Sequence, residues 1–360
     1  ETTPATATLT RRQALGLGTA AAAAGLVPAA HAVADDHLST PATIRDPSAD
    51  PAAFQGAGFY RLSLGDVEIT VLNDGWFPIE PAHPTIGANV SADEVHGALR
   101  HAFVPADRVI GHINTLLVNT GERLILLDVG CGDTFGPTNG RLRDHLARAG
   151  AEPGDIDLVV LTHLHLDHVG GLATADGIDW LPNATFVMHE AERGFWSADT
   201  PDFSKSGVPE SRIPTVVDVA QTALRNIPSD RLELVRDKRT QLDDALAVYH
   251  APGHTPGHLV AGLYGEAGQF GFLSDLVVVP DLQFRYPGWH YGFDTDPVES
   301  ADTRQRILKY YADHRRPVAG SHLTFPGVGH VRAEPDTDGF AYVPAVWRWD
   351  PDASAAYQNP

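Results

Sequence analysis

Apolar and polar positions alternate at period two over residues 59–64 and 67–72, and Gly65-Asp66 joins the two runs, which predicts a β-hairpin. Asn73-Asp74-Gly75 reads as the end of the second strand, and 78–88 reads as loop. A second strand pair is expected over 113–118 and 124–129, turned at Gly121-Glu122. Further short apolar runs predict strands over 156–161, 184–188, 246–250, 259–264, 269–273 and 317–319, with late strands at 330–332 and 340–343.

Helices fall between these runs. Ser91-Ala92-Asp93-Glu94 is a capping box and starts a helix to about Arg100. Residues 141–149 are amphipathic and closed by Gly150. A helix starting near Glu190 carries Phe195 and Trp196. Asp296-Pro297-Val298-Glu299 opens a long helix to about His314, with Pro at its first turn. Two half-chains, each of strands followed by helices, predict an α/β fold: two mixed β-sheets packed as a sandwich with helices outside. Two stretches escape this pattern, an irregular Pro- and Ser-rich segment at 197–215 and an aromatic-rich one at 280–295. Both are candidates for lids or pocket walls.

The N-terminus departs from the globular pattern. Thr10-Arg11-Arg12-Gln13-Ala14-Leu15 is a twin-arginine sequence, followed by small apolar residues over 16–24. Ala30-His31-Ala32 and Ala32-Val33-Ala34 are alternative A-x-A cleavage patterns. Residues 1–34 are therefore expected to be a Tat-type export signal, too short and too poor in large side chains to span a membrane. A flexible arm is expected over 35–57, a catalytic domain over 58–350 and a tail over 351–360. An exported protein of this kind resides in the periplasm or outside the cell.

Composition then narrows the chemistry. The chain of 360 residues carries a net charge of −20, which argues against nucleic acid as a partner. Its single cysteine, Cys131, excludes an intrachain disulfide and any cysteine-rich zinc site, and reads as a small buried hydrophobe. Any transition metal must be held by histidine and carboxylate.

Such ligands are concentrated in Leu161-Thr162-His163-Leu164-His165-Leu166-Asp167-His168-Val169-Gly170-Gly171, directly after an expected buried strand. His163 and His165 share a side of an extended chain, while Asp167 and His168 point elsewhere as the chain turns. That arrangement suits two neighbouring metals, and one segment cannot complete both coordination spheres. His254, Asp275 and His322 each follow an expected strand and can supply the missing ligands. The candidate metal set is thus His163, His165, Asp167, His168, His254, Asp275 and His322. Asp128, after another strand, either orients a ligand imidazole or caps its strand end.

The order H-x-H-x-D-H, then His254 within Ala-Pro-Gly-His-Thr-Pro-Gly-His, then Asp275, then His322, resembles the metallo-β-lactamase superfamily in its dinuclear form. The resemblance covers nearly all of the expected mature chain. It implies a four-layer αβ/βα sandwich. It also implies a first metal on His163, His165 and His254, a second on Asp167, His168 and His322, and Asp275 bridging, with Asp167, Asp275 and His322 carrying the chemistry. Phe135-Gly136-Pro137-Thr138, Phe293-Asp294-Thr295-Asp296-Pro297 and the stretch from His322 to His330 resemble the branch of methyl parathion hydrolase and lactone or aryl-ester hydrolases. Members are exported and often homodimeric.

The expected reaction is attack by a water held between two divalent cations, which lower its pKa toward neutrality. Zinc is the first expectation, although His and carboxylate also admit Mn, Co or Fe. The expected substrates are small neutral esters: lactones, aryl esters and organophosphate triesters. Phe135, Trp196, Phe203, Leu276, Phe284 and Phe293 are the candidate pocket walls. A true β-lactamase is disfavoured by the carboxylate at Asp275, where that group usually carries Cys or Ser. A glutathione-type thioesterase is disfavoured by the lack of a cationic helical C-terminus, and a non-catalytic metal-binding module by the complete ligand set.

Overall fold

A computed structural model describes residues 57–346. The export signal expected over 1–34, nearly all of the arm over 35–57, and the tail over 351–360 lie outside the described residues. The first sheet runs β1 (Phe59–Leu64), β2 (Val67–Ile79), β3 (Val109–Asn119), β4 (Leu124–Leu127), β5 (Leu158–Val160), β6 (Thr185–His189) and β7 (Leu232–Val235), in that order. Its strands pair antiparallel up to β4 and parallel from β4 to β7.

Helix α1 (Ala92–His101) sits between β2 and β3 and carries the expected capping box, with both reciprocal bonds of Ser91 and Glu94 formed. The parallel strands need crossovers. These are α2 (Leu142–Arg148), then the short α3 (Leu166–Val169), then α4 (Glu190–Trp196) with α5 (Ile213–Asn226). The second sheet has β8 (Arg239–Asp243), β9 (Leu246–His250), β10 (Leu259–Gly265), β11 (Gly268–Phe272), β12 (Pro317–Ala319), β13 (Val328–Ala333) and β14 (Phe340–Pro344), ordered from 14 to 8. Only β11 and β12 pair in parallel, across α6 (Pro297–His314).

Period-two burial explains how the layers stack. Leu62, Leu64, Ile69 and Val71 of the first sheet meet Leu246, Val248, Leu263 and Phe270 of the second in one core. The first sheet's other face packs Phe186, Met188 and Leu126 against Leu146, Trp196, Val216 and Ala220 of the helices. The second sheet's other face packs Val260 and Val318 against Ile307, Leu308 and Tyr311 of α6. This is the sandwich of two mixed sheets with helices outside that the sequence predicts. No helix among the described residues is long and apolar enough to cross a membrane.

Three local expectations are corrected. Asn73-Asp74-Gly75 does not end a strand: β2 continues to Ile79 across a bulge between Asn73 and Gly75. The bulge turns the Asp74 carboxylate inward, where it accepts from the backbone N–H of Cys131 at 2.9 Å and of Leu142 at 2.8 Å. Within the expected loop, Ala82–Thr85 forms a short helical turn. The segment 197–215 ends in α5, whose buried Val216, Val219, Ala220 and Ala223 form one stripe.

Candidate metal centre

Every candidate ligand leaves the end of a strand along one edge of the sandwich. Asp128 follows β4, the residues from His163 to His168 follow β5, His254 follows β9, Asp275 follows β11 and His322 follows β12. All seven candidate ligands are brought together. His163, His165, His254 and Asp275 present one ligand atom each within 4.8 Å of one another, and so do Asp167, His168, Asp275 and His322. Asp275 belongs to both groups.

Hydrogen bonds fix which nitrogens face the centre. The Nδ1–H of His168 donates to Asp128 Oδ2 at 2.8 Å, that of His254 to Asp294 Oδ1 at 2.8 Å, and that of His322 to the carbonyl of His112 at 2.6 Å. Each therefore turns an Nε2 lone pair inward. His254 Nε2 lies 2.9 Å from His165 Nδ1 and 3.2 Å from His163 Nε2. Nitrogens about 3.3 Å apart are what a tetrahedral Zn²⁺ with bonds of ~2.05 Å imposes. In the second group, Asp275 Oδ2 is 2.8 Å from His322 Nε2, and Asp275 Oδ1 is 3.0 Å from His168 Nε2. Asp167 Oδ2 is 3.4 Å from His322 Nε2.

A cation fits this donor set. Two atoms that face the centre, His168 Nε2 and Asp275 Oδ1, are buried without a hydrogen-bond partner. The close approach of these two therefore lacks hydrogen-bond geometry, and buried polar atoms are costly to leave unpaired. Protonation of the bare cluster points the same way. Burial holds His163 and His165 well below the ordinary histidine range. Burial also opposes charge on His254, but Asp275 and Asp294 outweigh it and bring that ring to about 9. Asp275 is held well below the carboxylate range by His168, His322 and His163 in spite of its burial. The carboxylates thus demand a positive charge, and protons supply it where no cation does.

The supporting frame is built from backbone and buried carboxylates. Asp128 sits in the left-handed region at φ 66°, which turns its carboxylate onto Thr162 N at 2.7 Å and Thr162 Oγ1 at 2.7 Å as well as onto His168. Of the two roles left open for Asp128, it performs the orienting one. Thr162 Oγ1 also meets Ser274 Oγ at 2.8 Å, and this joins the β5 loop to the β11 loop. Changing Asp128 to Asn sets an amide against donors and is expected to weaken metal binding about 10- to 100-fold, as judged by chelator competition. Unchanged affinity would mean that the contact is not used.

Three further residues support this frame, none of them given that role from the sequence. Glu192, in the first turn of α4, is fully buried and accepts four hydrogen bonds. Asp294 holds His254, and the buried Arg304 reaches Asp294 Oδ2 at 3.5 Å. The contacts of Glu192 with Leu164, Thr255 and Gly257 and of Asp294 with His254 span 28 to 65 positions, so spacing could not reveal them.

The proposed pocket walls divide. Trp196 is buried edge-on to His165 with centroids 5.6 Å apart, and Phe203 packs on Trp196. Phe135 lies 5.0 Å from Phe77, which in turn meets the His322 ring at 5.3 Å. Phe293 adjoins Tyr291, whose ring is stacked on His254 at 6.2 Å. Leu276 and Phe284 are buried in the cluster under α6, where Phe284 stacks on Tyr342. Phe77 and Tyr291, not singled out from the sequence, stand beside the ligands instead.

Known proteins fit the same frame. A model described as the metallo-beta-lactamase superfamily matches residues 108–322. The N-acyl homoserine lactonase AttM of Rhizobium radiobacter is 25% identical over 185 residues, covering 50% of this chain and 62% of AttM. The match thus spans less than two thirds of that relative's length. Among solved structures, AidC, described as a dizinc quorum-quenching lactonase with a product bound, has a TM-score of 0.75 and 30% identity, covering 81% of this chain and 98% of its own. The hydrolase AbOPH has a TM-score of 0.72 and 30% identity, covering 82% and 99%. With the sandwich, the strand-end ligands and these matches in agreement, the chain belongs to the metallo-beta-lactamase superfamily.

Proposed function

We propose that this chain is an exported metal-dependent hydrolase of small neutral esters, lactones and aryl esters first and organophosphate triesters next, working with two divalent cations, most simply Zn²⁺. The observation that carries this reading is the pair of buried ligand groups sharing Asp275. Cations bound there would supply an activated water and an electrophile for the substrate's carbonyl or phosphoryl oxygen. His163, His165 and His254 would hold one, and Asp167, His168 and His322 the other. The chain's own part is to hold the Nδ1–H of His168, His254 and His322 on Asp128, Asp294 and the His112 carbonyl, which fixes the tautomer and aims each Nε2 at the position a cation would take. Aromatic rings of Phe77, Trp196 and Tyr291 against the ligand imidazoles limit water and suit an apolar acyl or aryl group.

Neutral substrates are favoured because Arg304, the one buried lysine or arginine among the described residues, is already committed to Asp294 and to the Leu276 and Pro287 carbonyls. Similarity to AttM and AidC supports lactones as the first class to try. The metal-loaded protein is expected to turn over at least one of an aryl ester, a γ- or δ-lactone and a paraoxon-type triester. Turnover of none of them, or of nitrocefin alone, would overturn the assignment. Export is supported by Arg11-Arg12. Recovery outside the cytoplasm should be lost when both become lysine, and unaffected export would remove that part of the reading.

A further inference from the structure

A cavity of about 810 Å³ lies on the far face of the second sheet, between β8 to β11 and α6, and none of the seven candidate ligands lines it. That volume is within the range of small-molecule sites, roughly 300–1,000 Å³. Gly262 of β10 pairs with Gly271 of β11, and the room their missing side chains leave is taken by tyrosines: Tyr311 lies against Gly271, and Tyr249 and Tyr264 against Gly262. A Cβ on Gly262 would stand 3.1 Å from both Tyr249 Cε2 and Tyr264 Oη. Tyr249, Tyr264, Tyr310 and Tyr311 give the walls aromatic surface, and the hydroxyls of Tyr249 and Tyr264 bond to each other.

The charge is unusual for this chain, which has 46 acidic residues against 26 basic ones. Lys238, Arg239 and Arg306 all line the cavity, and Glu299 is the one carboxylate that does. Among the described residues, Lys238 and Arg306 form no ion pair. Arg239 is met by neutral groups, the Tyr249 hydroxyl at 3.3 Å and the Gln241 amide oxygen. All three cations are exposed to solvent, and cations grouped around phenol rings in a strongly acidic protein are suited to an anion that also offers a flat ring. Guanidinium takes carboxylate in a bidentate fork, and tyrosine rings pack on an aromatic face.

We propose that this cavity is a second ligand site, separate from the metal centre, for a small aryl carboxylate. The proposal stands whether or not the ester-hydrolase reading does. Its probe is 1-naphthoate, titrated calorimetrically into the metal-loaded full chain, with neutral 1-naphthalenemethanol and inorganic phosphate as controls. Saturable one-to-one binding of naphthoate is expected, at least about tenfold tighter than either control. The combined K238Q, R239Q and R306Q chain, and the single R306Q chain as a milder variant, should each weaken naphthoate while leaving the melting temperature and metal content unchanged. Naphthoate binding unaltered by these substitutions would overturn the proposal by placing the ligand elsewhere, the metal centre included. Phosphate binding as tightly as naphthoate, or no saturable binding, would overturn it too.

Discussion

With Asp275 replaced by alanine, kcat/KM is expected to fall about 10³-fold or more and bound metal to drop below two per chain. The carboxylate belongs to both ligand groups and lies 2.8 Å from His322 Nε2, 3.3 Å from His254 Nε2 and 3.0 Å from His168 Nε2. Removing it leaves clustered lone-pair nitrogens without the charge that draws cations in. A metal site contributes several kcal/mol of transition-state stabilisation, and each 1.36 kcal/mol is about tenfold in rate. Metal analysis and steady-state kinetics test this together, with circular dichroism to show that the fold persists. A variant that keeps two metals and activity within about tenfold of the parent would refute the shared role of Asp275.

Changing Glu192 to glutamine, a substitution of equal shape, is expected to destabilise the protein by about 3 kcal/mol. Oε1 accepts from Leu164 N at 2.8 Å and Trp196 Nε1 at 2.6 Å, while Oε2 accepts from Thr255 Oγ1 at 2.7 Å and Gly257 N at 2.9 Å. Either orientation of an amide would set its NH₂ against a buried N–H that cannot turn away. Gly257 adds to the tightness, since a Cβ there would collide with the Glu192 backbone. Three of the bonds tie α4 to the two loops that carry His163, His165 and His254, so activity should fall with stability. Urea unfolding reads the stability change, and a loss below about 0.5 kcal/mol, the level of an ordinary surface substitution, would show that the bonds are not all made.

Much of this was visible in residue order. Strand β1 was legible because one face is buried against a partner sheet, which imposes period two, and β9 and β10 because burial on both faces makes each a short apolar run. The residues His163 to His168 were legible because a metal needs several donors close together, and a loop after a strand supplies them locally. The continuation of β2 past Asn73-Asp74-Gly75 was not, because those residue types serve equally for a turn and for a bulge that aims a carboxylate inward. Strands β7 and β8 lie where little alternation marks them: β8 has no fully buried residue. Glu192 looked like an ordinary acidic residue in a helix's first turn. Its partners at Thr255 and Gly257 are more than sixty positions away, and only folding brings them together. That Phe284 packs under α6 was hidden for a related reason, since an aromatic-rich segment does not reveal which of its side chains turn toward α6.

The ligand loops leave both sheets, from His163 in one half of the chain to His322 in the other. Anything that engages them at once therefore acts as a removable crosslink between the halves, in a protein whose single cysteine rules out a disulfide bond within the chain. Such a crosslink cannot be cut by reductants. Its strength follows free ligand concentration, adding about 4 kcal/mol at a thousand times Kd and nothing when the ligand is withdrawn. Scarcity of metal would then remove the protein as well as its activity, since an unlinked sandwich opens more often to proteases.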